Sequence, residues 1–286
     1  MLAALIGALP ACRVETTRLP VEQFREFTDD LGRTVRLPLK IDRVVSLAPN
    51  LTENIFAVGA GDRLVGVTTY CDYPKEALSI EKVGDTQTPN AERIIALRPQ
   101  VVLVSTASQL EAFTKTLADQ KIAVFVTNPN SLDGVLKNLE QFGEIFGTLD
   151  KANVLVGELR SRADAVEAGN STQTPVRVFI QISREPLYTI GKNSFLTEIV
   201  RRAGGDVVTK DVEKAFPVLS KETALALAPD AIILSDSEDN RGPNDAFRNS
   251  PAVKSGRVFR IDPDILSRPG PRLVDAMEEI ARDIRK

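Results

Sequence analysis

Short unbroken apolar runs alternate along this chain with stretches in which apolar positions recur every three or four residues. The runs at 43–48, 64–67, 101–104 and 123–127 read as buried strands, because a strand covered on both faces has no polar side to alternate with. Helical periodicity fills 51–58, 91–97 and 109–120 between them. Pro49 reads as the stop of the first strand, and Asn50 with Glu53 as a capping-box start for the helix, which Gly59 and Gly61 end. Ahead of these, 24–35 holds Asp29-Asp30-Leu31-Gly32 between short β-type runs and reads as a hairpin. Strands and helices alternating in this way predict a parallel sheet with helices on both faces.

The pattern changes at 132–169, which is helical nearly throughout with a break at Gly147. Leu155, Leu159, Ala163 and Val166 keep one stripe along 150–168, a rod of roughly 30 Å at 1.5 Å per residue. After a turn-rich stretch at 170–175 the alternation restarts. Strands are expected at 176–181, 231–234 and 258–261, and helices at 195–203, 221–227 and 272–284. The halves also echo one another. The stretch 92–103 can be laid over 222–233, with Glu92 and Glu222 each seven residues before a proline, Pro99 and Pro229, and a strand directly after. A looser pair is Leu51-Thr52-Glu53 against Leu196-Thr197-Glu198. A duplicated α/β unit joined by a stiff helix predicts two lobes with a cleft between them.

Composition then removes many chemistries. The chain has 286 residues, 43% hydrophobic and 26% charged, which is ordinary for a folded protein with a real core. Thirty-six basic side chains face 39 acidic ones, a net of −3, so no concentrated positive surface for nucleic acid is expected. There is no His. That removes Ser-His-Asp and Cys-His machinery and His-ligated metal sites. Gly59-Ala60-Gly61 follows a helix rather than a strand and reads as a helix end, not a dinucleotide loop. Gly191-Lys192-Asn193-Ser194 lacks the first glycine and the Lys-Ser adjacency of a phosphate loop. The carboxylate pairs Asp29-Asp30, Glu238-Asp239 and Glu278-Glu279 read as solvated faces.

An apolar run at 2–11, too short to span a bilayer, ends in Leu9-Pro10-Ala11-Cys12. A small residue before Cys12, with Leu two further back, resembles a bacterial lipoprotein processing site, with Cys12 as the lipidated residue and the following polar stretch as a tether. The other cysteine, Cys71, then reads as a buried unpaired thiol. Glu92 and Glu222 fall in the first turns of their helices, where a carboxylate is favoured by the helix dipole and is also free to meet a partner. Tyr70, Tyr73, Tyr188, Phe216, Arg184, Arg268 and Arg272 lie near expected strand ends, where ligands of parallel α/β sheets bind.

The stretch from Ser46-Leu47-Ala48-Pro49-Asn50-Leu51-Thr52-Glu53 through Gly59-Ala60-Gly61-Asp62 to Tyr70-Cys71-Asp72-Tyr73-Pro74 resembles the cobalamin, siderophore and haem class of substrate-binding proteins of ABC importers. Val83-Gly84-Asp85, Asn90-Ala91-Glu92-Arg93-Ile94, Leu97-Arg98-Pro99, Gly191-Lys192 and Arg268-Pro269-Gly270-Pro271-Arg272 extend the likeness, which is greatest to the cobalamin-binding branch. The resemblance implies two Rossmann-like α/β lobes with mainly parallel sheets, joined by one long rigid interdomain helix (the class III periplasmic-binding-protein fold). On this reading 1–26 is a signal or lipoprotein segment and tether, 27–149 the first lobe, 150–169 the bridging helix and 170–286 the second lobe.

The resemblance also assigns roles. Pro49, Tyr70, Phe216, Asp264 and Arg268 would line the ligand cleft, with Thr86 and the strand-end cation Arg184 as further ligand candidates, and Glu92 and Glu222 would dock on arginines of the two permease subunits. Thr86 and Phe216 stand where cobalamin binders often place Trp, which this chain lacks. The implied protein is a monomer without cofactor, metal or catalytic group. It would carry cobalamin or a related corrinoid to an ABC permease dimer from the periplasm or the outer face of the cytoplasmic membrane, held there through Cys12. A ferric siderophore or haem in the same role is the alternative cargo. An envelope ligand sensor without transport, or an α/β enzyme acting through Asp, Glu or Lys, are the readings from other classes.

Overall fold

The computed structural model describes residues 23–105 and 111–286; Cys12 and the rest of the expected leader lie outside the described residues, as does the start of the helix expected at 109–120. The first element is an antiparallel hairpin, β1 (Phe24–Thr28) and β2 (Thr34–Pro38), in register from Phe24 opposite Pro38 to Thr28 opposite Thr34. It begins inside the stretch expected to be tether, because Phe24 already pairs with β2. The turn is built on Asp29, whose carboxylate accepts from the backbone N–H of Leu31 and Arg33 and from the Arg33 guanidinium. Asp29 is therefore buried rather than solvated.

Two four-stranded parallel sheets follow. The first comprises β3 (Val44–Ser46), β4 (Leu64–Val67), β5 (Val101–Ser105) and β6 (Ala123–Thr127), in the order β4-β3-β5-β6. The second comprises β7 (Val176–Gln181), β8 (Gly205–Val207), β9 (Ala231–Ser235) and β10 (Val258–Ile261), in the order β10-β9-β7-β8. Counted from its own first strand, each sheet runs second, first, third, fourth. The shared order is what a duplicated unit produces, and it puts the chain reversal between the same pair of strands in both lobes. All five β9 residues are buried, which is why these strands read as unbroken apolar runs.

Around the first sheet lie α1 (Pro49–Ala57), α2 (Ala91–Ala96) and α3 (Glu111–Asp119); around the second lie α6 (Phe195–Arg202), α7 (Lys221–Leu227), the short α8 (Pro251–Lys254) and α9 (Pro263–Ser267), and α10 (Leu273–Asp283). The start of α1 departs from expectation. Pro49 is the first helical residue, not a strand stop, since its missing N–H would have no partner there. Asn50 is then inside the helix, and Glu53 is released from a capping role. The strand β8 and the helices α8 and α9 were not anticipated; each is too short to show a period.

Between the lobes run α4 (Leu132–Phe146) and α5 (Leu149–Asn170). Ser131 caps α4 by accepting from the Gly134 N–H, and Gly147 ends it with φ of +66°, the left-handed conformation glycine takes without strain. The 22 residues of α5 make a continuous rod of about 33 Å. Ala152, Val156, Leu159 and Ala163 bury its inner stripe. Ion pairs fix its outer side to the second lobe: Arg162 to Asp275 (2.6 Å) and Glu278 (2.7 Å) of α10, and Arg202 of α6 to Asp164 (3.0 Å) and Glu167 (2.8 Å). Glu278 is thus ion-paired rather than simply solvated. Glu198 of α6 also accepts from the Leu132 N–H at the start of α4. One continuous apolar core runs from the first sheet through α4 and α5 to the second sheet, so the lobes share their interior on the rod side. They part on the other.

Candidate functional site: the cleft between the lobes

The carboxyl ends of both sheets face a cavity of about 710 Å³. From the first lobe, the β3–α1 turn contributes Ala48, Pro49 and Asn50, β5 ends in Ser105, and the segment after β6 contributes Thr127, Asn128, Pro129 and Asn130, with Thr86 beside them. From the second lobe come Asn193, Ser194, Phe195, Ala215, Phe216 and the run Ser267, Arg268, Pro269. Among the described residues the walls are thus amides, hydroxyls, prolines and two phenyl rings, with one charged side chain.

Each wall is braced. Asp30 of the hairpin turn accepts from the Asn128 N–H (2.7 Å) and from the Asn138 amide (3.0 Å), and its own N–H donates to the Val126 carbonyl. The pair Asp29-Asp30 therefore fastens the hairpin to the β6 edge and holds the cleft-lining turn after it. Opposite, Gly191 donates to the Ala215 carbonyl and Lys192 to that of Val212. A Cβ on Gly191 would lie 2.2 Å from the Lys214 carbonyl oxygen, so only glycine lets these backbones meet. This contact presents Phe216, 47% exposed, to the cavity.

Arg268 enters the cavity wall already surrounded. Its Nη1 lies 3.0 Å from Glu53 and 2.8 Å from Asp72, and its Nη2 lies 2.7 Å from Asp264. Glu53, only 2% exposed at its side chain, also accepts from Nε (2.9 Å) and Nη2 (2.6 Å) of Arg272, whose guanidinium lies 4.0 Å over the Tyr73 ring. Burial alone would lower the Arg268 pKa, but the hydrogen bonds to Asp72 and Glu53 outweigh it and hold the group above its ordinary value. Burial pushes the Asp264 carboxyl above the usual carboxylate range, only partly opposed by the Arg268 charge. Asn50 adds a bond from its amide to the Pro269 carbonyl. Glu53, Asp72, Arg268 and Arg272 therefore clasp the two lobes across the cleft edge.

Of the seven cleft residues expected from sequence, Pro49, Thr86, Phe216 and Arg268 line the cavity. Three do not. Tyr70 points to solvent, 60% exposed, outside the lining. Arg184 pairs with Asp245 at 3.0 Å, its loop held off by the Asn244 amide on the Arg184 carbonyl. Asp264 sits one helical turn from Arg268 and supports it from behind. Asn128, Asn130, Asn193 and Ser194 were missed as cleft residues; the signal was the turn-rich run directly following the strand at 123–127 and the polar end of the Gly191 segment.

Glu92 and Glu222 occupy equivalent places, in the first turns of the helices leading from the second to the third strand of each lobe. Both are exposed, and among the described residues neither enters an ion pair. Asn90 and Ser220 cap the two helices. The Glu222 carboxyl is held below its ordinary range by its own backbone N–H and then by the Ser220 hydroxyl. Cys71 is buried, its sulfur 3.2 Å from the Thr52 hydroxyl and 3.1 Å from that of Thr68.

Residues 44–265 match the family model described as periplasmic binding protein. The chain is 34% identical over 265 residues to the uncharacterized ABC transporter substrate-binding lipoprotein YvrC of Bacillus subtilis, covering 90% of this chain and 84% of that protein. It is 29% identical over 245 residues to a vitamin B12-binding protein of Vibrio cholerae, covering 85% and 89%. The crystal structure of the periplasmic vitamin B12 binding protein BtuF of Vibrio cholerae superposes with a TM-score of 0.77 at 28% identity, over 86% of this chain and 97% of that one. A periplasmic haem-binding protein, RhuT from Roseiflexus sp. RS-1, shares the fold with a TM-score of 0.76 at 24% identity, over 85% and 98%.

Proposed function

Because the chain belongs to the periplasmic binding protein family, we propose that it is the substrate-binding component of an ABC importer and that its cargo is a corrinoid. It works outside the cytoplasmic membrane, in the periplasm or on the membrane's outer face, tethered through lipid on Cys12. It captures its ligand as a monomer and hands it to a permease dimer without chemical change. The importer role is supported by the family and by a relative named as an ABC transporter substrate-binding lipoprotein. Docking is supported by the equivalent, exposed carboxylates of Glu92 and Glu222, one on each lobe, which suit a twofold partner carrying arginines.

The observation that carries the corrinoid reading is the chemistry of the cleft. A corrinoid has broad apolar faces and a rim of carboxamides. Phe195, Phe216, Pro49 and Pro129 offer apolar contact, and Asn50, Asn130, Asn193 and the neighbouring hydroxyls offer both donors and acceptors to an amide rim. Haem propionates and ferric siderophores call instead for uncompensated cations. Among the described residues the only cation in the lining is Arg268, which already faces three carboxylates. Calorimetric titration of the full chain with cyanocobalamin, dicyanocobinamide, hemin and a ferric tris-catecholate tests the reading. One-to-one binding of a corrinoid, tighter than that of either anionic ligand, is expected. Preference for hemin or the iron complex, or no binding by any of them, overturns it.

A further inference from the structure

The charge pattern around Arg268 is lopsided. Two guanidiniums, Arg268 and Arg272, face three carboxylates, Glu53, Asp72 and Asp264. Glu53 and Asp72 belong to the first lobe, the other three to the second. We infer that this carboxylate collar sets the charge selectivity of the cleft: by occupying the N–H donors of Arg268 it admits a neutral, amide-rimmed ligand and rejects a multiply anionic one. The inference rests on reading the cleft as a ligand site and names the residues that discriminate there.

The argument is one of access and repulsion. A guanidinium presents five N–H donors in a fixed plane. In Arg268 both terminal nitrogens are engaged, Nη1 by two carboxylates and Nη2 by the third. A ligand carboxylate must displace one of these or crowd within a few ångströms of the other two, where like charges oppose each other beside the buried Glu53. Glu53 cannot swing aside: Arg272 holds both its oxygens and Arg268 one of them, and its side chain is 2% exposed. Arg268 itself is only 12% exposed at its side chain. Discrimination by repulsion of the wrong ligand needs no added attraction for the right one.

The test uses the full chain carrying Asp72→Asn and Asp264→Asn together. These remove two collar charges at the partly exposed rim and leave the Glu53 bonds in place. Hemin and cyanocobalamin are the probes, and the quantity measured is the ratio of their affinities. In the double variant the hemin-to-cyanocobalamin ratio is expected to rise at least about tenfold, and the rise should shrink in high salt and when Arg268→Met removes the freed donors. Glu53→Gln should move the ratio in the same direction, with circular dichroism reporting whether that variant folds. A folded double variant with an unchanged ratio, or a rise that persists undiminished in high salt, overturns the inference. If the parent chain binds no cyanocobalamin the corrinoid reading fails, while the absolute gain in hemin affinity still decides whether the collar rejects anions.

Discussion

Replacing Glu53 by Gln removes one charge from a place nearly closed to water while keeping the side chain's shape. The carboxylate is 2% exposed and accepts from Arg268 at 3.0 Å and from Arg272 at 2.9 and 2.6 Å. Each charge-assisted bond is worth about 1.5–3 kcal/mol, but the amide oxygen of Gln still accepts one of them, so the values do not add. Breaking a buried pair from one side costs about 3–5 kcal/mol, because the partner's charge stays behind. Arg268 retains Asp72 and Asp264, which places the loss near the lower end, about 3 kcal/mol. In a chain of 286 residues that is a fall in Tm of roughly 5 °C. Thermal melts followed by circular dichroism measure it. A cycle with Arg272→Met should show the double variant losing at least about 1 kcal/mol less than the sum of the singles. A folded Glu53→Gln variant melting within about 2 °C of the parent would show that the clasp does not hold the lobes, and the reasoning from its geometry would fall with it.

Reversing the two carboxylates proposed to dock, Glu92→Lys and Glu222→Lys, should lower uptake by intact cells at least about tenfold while the Kd for free ligand, measured by calorimetry, stays within about twofold; a matching loss of affinity would remove them from the proposed docking role. Gly191→Ala sets a Cβ against the Lys214 and Val212 carbonyls at 2.2 and 2.5 Å. It should destabilise by about 1–3 kcal/mol and weaken ligand binding through the displaced Phe216, which a melt and a titration on the same sample would show. Hydrogen bonding to Arg162 holds the Glu278 carboxyl below its usual range. A depressed folded-state pKa gives stability that is complete above the ordinary glutamate range and is lost as the pH falls through the folded value. The pair is about two-fifths exposed on each side, so its worth stays within about 1 kcal/mol. The Tm difference between the parent and Arg162→Met should shrink from neutral pH toward about pH 3, and a difference that holds constant would refute the linkage.

What could be read from the residues alone was whatever is local. The strand at 123–127, the strand at 176–181 and the helix at 221–227 fall where their apolar patterns put them, because covered strands and capped helices write their signals into neighbouring positions. The duplication was visible for the same reason, and the matched strand orders follow from it. Glu53 shows the limit. Beside Asn50 it looks like half of a capping box, yet its partners Arg268 and Arg272 lie 215 and 219 residues away. Asp30, read as solvated, answers to Asn128 and Asn138 across the hairpin. Arg184 is the reverse case: a cation near a strand end invites a ligand role, and only the fold reveals Asp245 beside it. A side chain's charge is legible in sequence; its neutralisation is a property of three dimensions.

The rod α5 bears on how cargo leaves. A hinge made of loose chain lets two bodies swing apart at little expense, so release can follow from thermal motion. A 22-residue helix, packed along one stripe and ion-paired along the other, yields only by flexing like a leaf spring. Prising the jaws open means bending that spring and unfastening the Glu53 clasp together, and both recoil once the load is gone. Emptying the groove is then work done by whatever grips the molecule from outside, and a discharged carrier returns to its resting shape unaided.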